Sequence, residues 1–193
     1  MKHLLNTFIL VALCTMASIA QTKKDHREIK KTLRRFQRAL MTWDIEKILY
    51  YTPPEVFEIS PKILMEDLLQ SNSEKFTLLK IKTKKIYPVM LYDGTKYALT
   101  EYTGQMMLKL SEEEKKNIEE LATLWKQQEG AQNVILNKAK QQIRIRHTWR
   151  VCAMSTPGGK GWKFMQMSTD PIILDKVIPQ QIQRKLREQA KEE

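Results

Sequence analysis

From Ile143 to Met154 the chain alternates without a break. Ile143, Ile145, His147, Trp149, Val151 and Ala153 fall on one side, and Arg144, Arg146, Thr148, Arg150, Cys152 and Met154 on the other. A period of two, with apolar bulk on one side and charge on the other, predicts a half-buried β-strand. Ser155-Thr-Pro-Gly-Gly-Lys160 supplies turn residues, and Trp162 to Ser168 can run back as the partner strand. The expected product is an antiparallel hairpin with one face on a core and the other in water.

Upstream, Ile29, Leu33, Phe36, Leu40 and Trp43 step by four and three through Lys23–Trp43, the apolar stripe of a helix. Asp44 follows as a candidate cap for a short second helix through Leu49, which Pro53-Pro54 ends. Ser60-Pro61 reads as a helix start, and that helix carries Ile63, Leu64, Leu68 and Leu69 towards Ser71. From Phe76 the period returns to two, and Asp93-Gly94 joins Ile86–Tyr92 to a long strand from Lys96. Ser111-Glu-Glu-Glu114 is a capping box for a helix that Gly130 ends. Residues 133–140 fit either a short strand with a turn or a helical remnant. Asp170-Pro171 starts a turn of helix, and Pro179 opens a last one anchored by Ile182 and Leu186.

Residues 1–20 have the make-up of a secretory signal peptide. Lys2 and His3 precede a mostly apolar run, and Ala17-Ser-Ile-Ala20 places small residues before a cut after Ala20. Leu13 before Cys14 is bulky where lipid attachment wants a small residue. A periplasmic or secreted product is expected, with residues 21–193 as a single α+β domain. Cleavage would leave Cys152 alone, so no internal disulfide is expected. The formal charge of +11 becomes +10 once Lys2 is removed. That balance favours anionic neighbours and also serves solubility.

The order of elements resembles the nuclear transport factor 2-like, or cystatin-like, cone. The residues that carry the resemblance are Ala39-Leu-Met-Thr-Trp-Asp44, the Pro53-Pro54 pair, Lys96-Tyr-Ala-Leu-Thr-Glu-Tyr102 and Gly161-Trp-Lys-Phe164. The resemblance implies a curved antiparallel sheet wrapped around the long N-terminal helix, with a pocket at the cone's open end. A helix near 111–129 would be an insertion between strands. A secreted bacterial member of unknown role is implied. Enzymes, ligand binders and dimerisation modules share this fold, so it does not choose among functions.

Within such a pocket His147 is the sharpest candidate, a polar group between Ile145 and Trp149. It could be an acid, a base or a ligand anchor, or a core histidine satisfied by backbone or a tyrosine. Trp43, Trp149, Trp162 and Phe164 would supply contact area, and Gln166 would help orient a ligand. Asp44 and Glu101 are the acids that chemistry would require. Glu101 points inward if Tyr97 and Leu99 do, and lies wet in the opposite register. On the other face, Lys80, Lys82 and Lys84 alternate on one strand and Arg144, Arg146 and Arg150 on another. Consistent facing would join them into a basic band.

Three function classes follow: a binding or interaction module with a small apolar pocket, an acid–base enzyme of isomerase or dehydratase type, and a binder of anionic envelope material. No catalytic motif is present, and His3, His26 and His147 lack the spacing of a metal site. Gly158-Gly-Lys-Gly161 lacks that of a phosphate loop. No cofactor is expected. The expected partners are a small molecule, an envelope protein, an anionic glycan or a lipid headgroup, with a homodimer through the sheet as a further arrangement. Nucleic acid is not among them.

Overall fold

A computed structural model describes residues 23–155 and 161–191. The expected signal peptide, residues 1–20, and the turn expected at 156–160 lie outside the described residues. The fold is α+β, built on an antiparallel six-stranded sheet that does not close. Its strands are β1 (Phe76–Ile86), β2 (Met90–Tyr92), β3 (Thr95–Leu108), β4 (Val134–Asn137), β5 (Gln142–Ser155) and β6 (Lys163–Gln166). β3 and β5 form the centre, with β1 and β2 beside β3 and β4 and β6 beside β5. The alternating stretch is therefore the spine of the sheet.

The first helix, α1, covers residues 23–42. Ile29, Leu33, Phe36 and Ala39 bury against Ala98, Tyr102, Val151, Ala153, Trp162 and Phe164. Each large side chain of this kind contributes roughly 1.5–3 kcal/mol by leaving water. The helix ends one residue earlier than its stripe suggests. Asp44 N–H donates to Ala39 O (2.9 Å) and Trp43 N–H to Leu40 O (3.2 Å), a Schellman ending whose left-handed position is normally glycine. Trp43 fills it at φ 50°, at a cost of about 1 kcal/mol. Its half-buried indole packs on the core.

Asp44 caps α2 (Ile45–Tyr51), accepting from Lys47 N–H. Two helices follow, α3 (Val56–Ile59) and α4 (Lys62–Lys75). The latter runs past Ser71–Ser73 to Lys75 and buries none of its residues, leaving Ile63, Leu64 and Leu68 exposed. Asp93 and Gly94 both have positive φ, the conformation of the tight turn that pairs Tyr92 with Thr95.

Ser111 and Glu114 form the reciprocal capping box of α5 (Glu112–Lys116). A break at Asn117 separates it from α6 (Ile118–Glu129), which Gly130 ends at φ 87°. Residues 134–137 are strand, and the turn follows. Ile118 and Ala122 of α6 pack with Ile143, Ile145 and Leu108, on the face of the sheet that α1 also covers.

Last come α7 (Pro171–Val177), capped by Asp170, and α8 (Gln180–Gln189). They cross to the opposite face, where Leu174, Val177, Ile178, Ile182 and Leu186 bury Leu99, Cys152 and Met154. One face of the sheet is thus covered by α1 and α6. The other is covered only at one end, and the rest stands open.

Candidate functional site

The open face is set by register. Gln105 of β3 lies between Lys80 and Arg146, Thr103 between Lys82 and Thr148, and Met107 beside Arg144. Cross-strand partners share a face, so Lys80, Lys82, Arg144 and Arg146 project from the same side, two strands apart, about 10 Å. An irregularity in β1 between Thr83 and Lys85 brings Lys84 to that side too, where its Nζ lies 3.3 Å from Glu101 Oε2. Arg150, opposite Glu101, completes the band. All six cations are exposed.

Glu101 is only 1% exposed and sits under this band. Arg150 Nε donates to its Oε1 at 2.7 Å, while Lys84 holds the other oxygen. Two cations on one buried carboxylate satisfy the charge that burial would otherwise penalise. The register question resolves in an unforeseen way. Ala98, Tyr102 and Met106 face α1 and α6, and Glu101 faces the other side, yet it is buried there beneath Lys84 and Arg150 instead of lying wet. Glu101 is therefore on the opposite side of the sheet from His147.

His147 does reach an acid, but a different one. Its Nδ1 lies 2.6 Å from Glu129 Oε2, at the end of α6. A carboxylate only accepts, so Nδ1 carries the hydrogen, and a neutral ring keeps its lone pair on Nε2. Trp149 lies against the imidazole, ring centroids 4.9 Å apart, and stacks on Tyr102 at 5.3 Å. Beneath it Gly104 leaves the room: a Cβ there would meet both Trp149 and Lys80 O at 2.7 Å.

The expected cone interior is filled. Trp162 and Phe164 are buried in the core with Phe36 and Tyr51, Phe36 stacking on Phe164 at 5.2 Å. Trp43 packs on the same cluster. Asp44 is occupied as a cap, and its hydrogen bonds from Lys47 hold its carboxyl below the ordinary value. These four do not line a pocket with His147.

What does open is a cleft of about 530 Å³ along β5, where β4 has ended and β6 has not begun. His147, Trp149 and Gln166 line it, as the sequence suggested, together with Arg150 and Thr148. Leu99, Met167, Ser168, the α8 residues Leu186 and Arg187, and Ala190 and Lys191 just beyond the helix complete the wall. Sequence reasoning used Leu186 as an anchor but missed Glu129, Arg187, Ala190 and Lys191. The signal for the last two was present. Leu186–Ala190 and Arg187–Lys191 are adjacent i, i+4 rows, an apolar strip edged by a cationic one.

The methionines fill core: Met154 and Met165 are buried under α7 and α8, with Met167 packed against them. Cys152 is fully buried, and burial pushes its thiol pKa up, the opposite of what a nucleophile needs. No group of three or more metal-ligating side chains occurs among the described residues. The chain matches no family model, and no curated protein or solved structure matches it.

Proposed function

We propose that the protein is a secreted or periplasmic binding module that holds anionic envelope material, a glycan or lipid headgroups, on the open basic face of its sheet. The observation that carries this is the register. Lys80, Lys82, Lys84, Arg144, Arg146 and Arg150 share one uncovered face, and the acid among them, Glu101, is buried beneath Lys84 and Arg150. The cone of the nuclear transport factor 2-like superfamily remains the architecture proposed for it, supported by the long helix lying across one side of an antiparallel sheet.

A second reading, a small acid–base enzyme, is favoured by the His147–Glu129 pair, which fixes the imidazole at the cleft. It requires a second titratable group converging on that ring. The charged side chains lining the cleft are Arg150, Arg187 and Lys191, and no carboxylate is among its described lining residues.

A +10 chain binds heparin to some extent through charge alone, so the test compares two variants of equal charge. Arg144→Glu/Arg146→Glu reverses two cations of the face. Arg34→Glu/Arg35→Glu reverses two exposed cations of α1. The face variant is expected to elute from heparin, and to leave phosphatidylglycerol vesicles, at clearly lower salt than the helix variant. Equal shifts would mean net charge is all that matters and would remove the proposal.

A further inference from the structure

The cleft along β5 has a composition that the open face does not. The face is cationic and polar, whereas the cleft joins cations to an apolar wall. Leu99, Met167, Leu186 and Ala190 line it beside Arg150, Arg187 and Lys191, and no carboxylate lies among the described lining residues.

The neighbouring acids are accounted for. Glu101 is held by Arg150 and Lys84, and Glu129 by His147. Glu188, one turn from Lys191, lies 3.9 Å from Arg184. Asp175 accepts from Gln180 and Gln183 and feels the charge of Arg187, whose own hydrogen bond runs to the amide oxygen of Gln183 at 3.4 Å. Neither Arg187 nor Lys191 therefore has a carboxylate within ion-pair distance among the described residues, although Asp175 and Glu188 line the adjoining groove with both.

Cations without a close ion-pair partner among the described residues, beside partly exposed apolar surface, suit a ligand that is itself divided. Leu99 and Leu186 are themselves buried, and the apolar surface open to a ligand is that of half-buried Trp149, Met167 and Ala190. A purely polar anion would leave that surface wet, and a neutral hydrocarbon would leave Arg187 and Lys191 unused. The volume, about 530 Å³, falls within the range of small-molecule sites. We propose that the cleft binds a small amphipathic organic anion, a fatty-acid-like carboxylate. Its apolar body would lie against Trp149, Met167 and Ala190, and its head would meet Arg187 and Lys191, with Arg150 in the same lining. The site is separate from the face proposed above for anionic polymers, sharing only Arg150 with it.

Calorimetric titration of the full chain with dodecanoate, below its micellar concentration, tests this. Dodecan-1-ol and dodecyltrimethylammonium serve as neutral and cationic matches. Saturable binding of dodecanoate is expected, tighter than the alcohol by about tenfold or more, with the ammonium weakest. Arg187→Glu/Lys191→Glu, at exposed positions, should weaken dodecanoate by about tenfold or more and bring it level with the alcohol. Ala190→Trp, which fills the cleft, should weaken both. Arg144→Glu/Arg146→Glu should lower heparin retention and leave dodecanoate unchanged, which separates the two sites.

The proposal is overturned if dodecanoate shows no saturable binding, or if the three amphiphiles bind alike. It is also overturned if neither cleft variant changes affinity. Binding of phosphatidylglycerol vesicles with no binding of free dodecanoate would assign the interaction to a bilayer surface and would equally remove the cleft site.

Discussion

Glu129 closes α6 with its carboxylate 2.6 Å from Nδ1 of His147 in the middle of β5, tying the end of that helix to the central strand. The pair spans two elements that otherwise meet through Ile118, Ala122 and the isoleucines of β5. Glu129→Ala removes the acceptor from a half-buried imidazole. A loss of about 1 kcal/mol is expected, read from the urea midpoint. Glu129→Gln, whose amide oxygen can still accept, should recover most of it. Equal losses in both variants would mean that the contact is incidental.

Gly104 is the next constraint. A Cβ at this position would meet the Lys80 carbonyl and the Trp149 ring at 2.7 Å each. The first is backbone of the neighbouring strand and cannot swing aside. Gly104→Ala is expected to cost about 1–3 kcal/mol from overpacking, with a change in near-ultraviolet circular dichroism as Trp149 shifts off Tyr102. An unchanged spectrum and melting midpoint would count against the close packing described.

The Glu101 cluster makes a sign prediction. Removing both cations, as Lys84→Met/Arg150→Met, leaves a carboxylate buried without a partner and should destabilise by roughly 3–5 kcal/mol. Adding Glu101→Met to the pair should restore most of that loss, because an apolar replacement of the whole cluster strands no charge. Chemical denaturation of the three proteins checks this. A triple variant no more stable than the double would refute it.

Cys152 gives the pH dependence. Burial raises its thiol pKa in the folded state, so the unfolded chain gives up this proton first. Its contribution is fully present below the unfolded value, about 8.5, and is lost as pH rises beyond it. Cys152→Ala should be less stable at neutral pH, from the cavity, yet should lose less stability than the native chain between about pH 8.5 and 10. The native thiol should react with Ellman's reagent only on unfolding.

Much of this was legible because it is local. Asp93-Gly94 and Ser111…Glu114 specify their own backbone, and the alternation of β5 announced the central strand. The basic band was legible as two separate triplets. Their common facing depended on the β1–β3–β5 register, including an irregularity beside Lys84 that no periodicity shows. Glu101 could not be placed because its burial depends on Lys84, brought over it by that irregularity, and on Arg150, forty-nine residues away in sequence. Glu129 was hidden because its partner His147 lies eighteen residues on, in another element, although Glu129 continues the Ile118–Ala122–Trp125 side of α6. Trp43 misled through its own spacing, continuing the stripe while its backbone had already turned left-handed.

β1 has consequences for how copies of this chain treat one another. It ends the strand order, eleven residues long, with no strand on its outer side among the described residues. Such an edge is a template on which a second copy can add. Lysine at Lys80, Lys82 and Lys84, with two register irregularities, makes this edge repulsive and uneven. The same charges that would hold an anionic polymer therefore also act as colloidal spacers. High salt, which screens them, would release a bound polymer and lower the barrier to self-association in one step, so concentrated stocks should be clearest at low ionic strength.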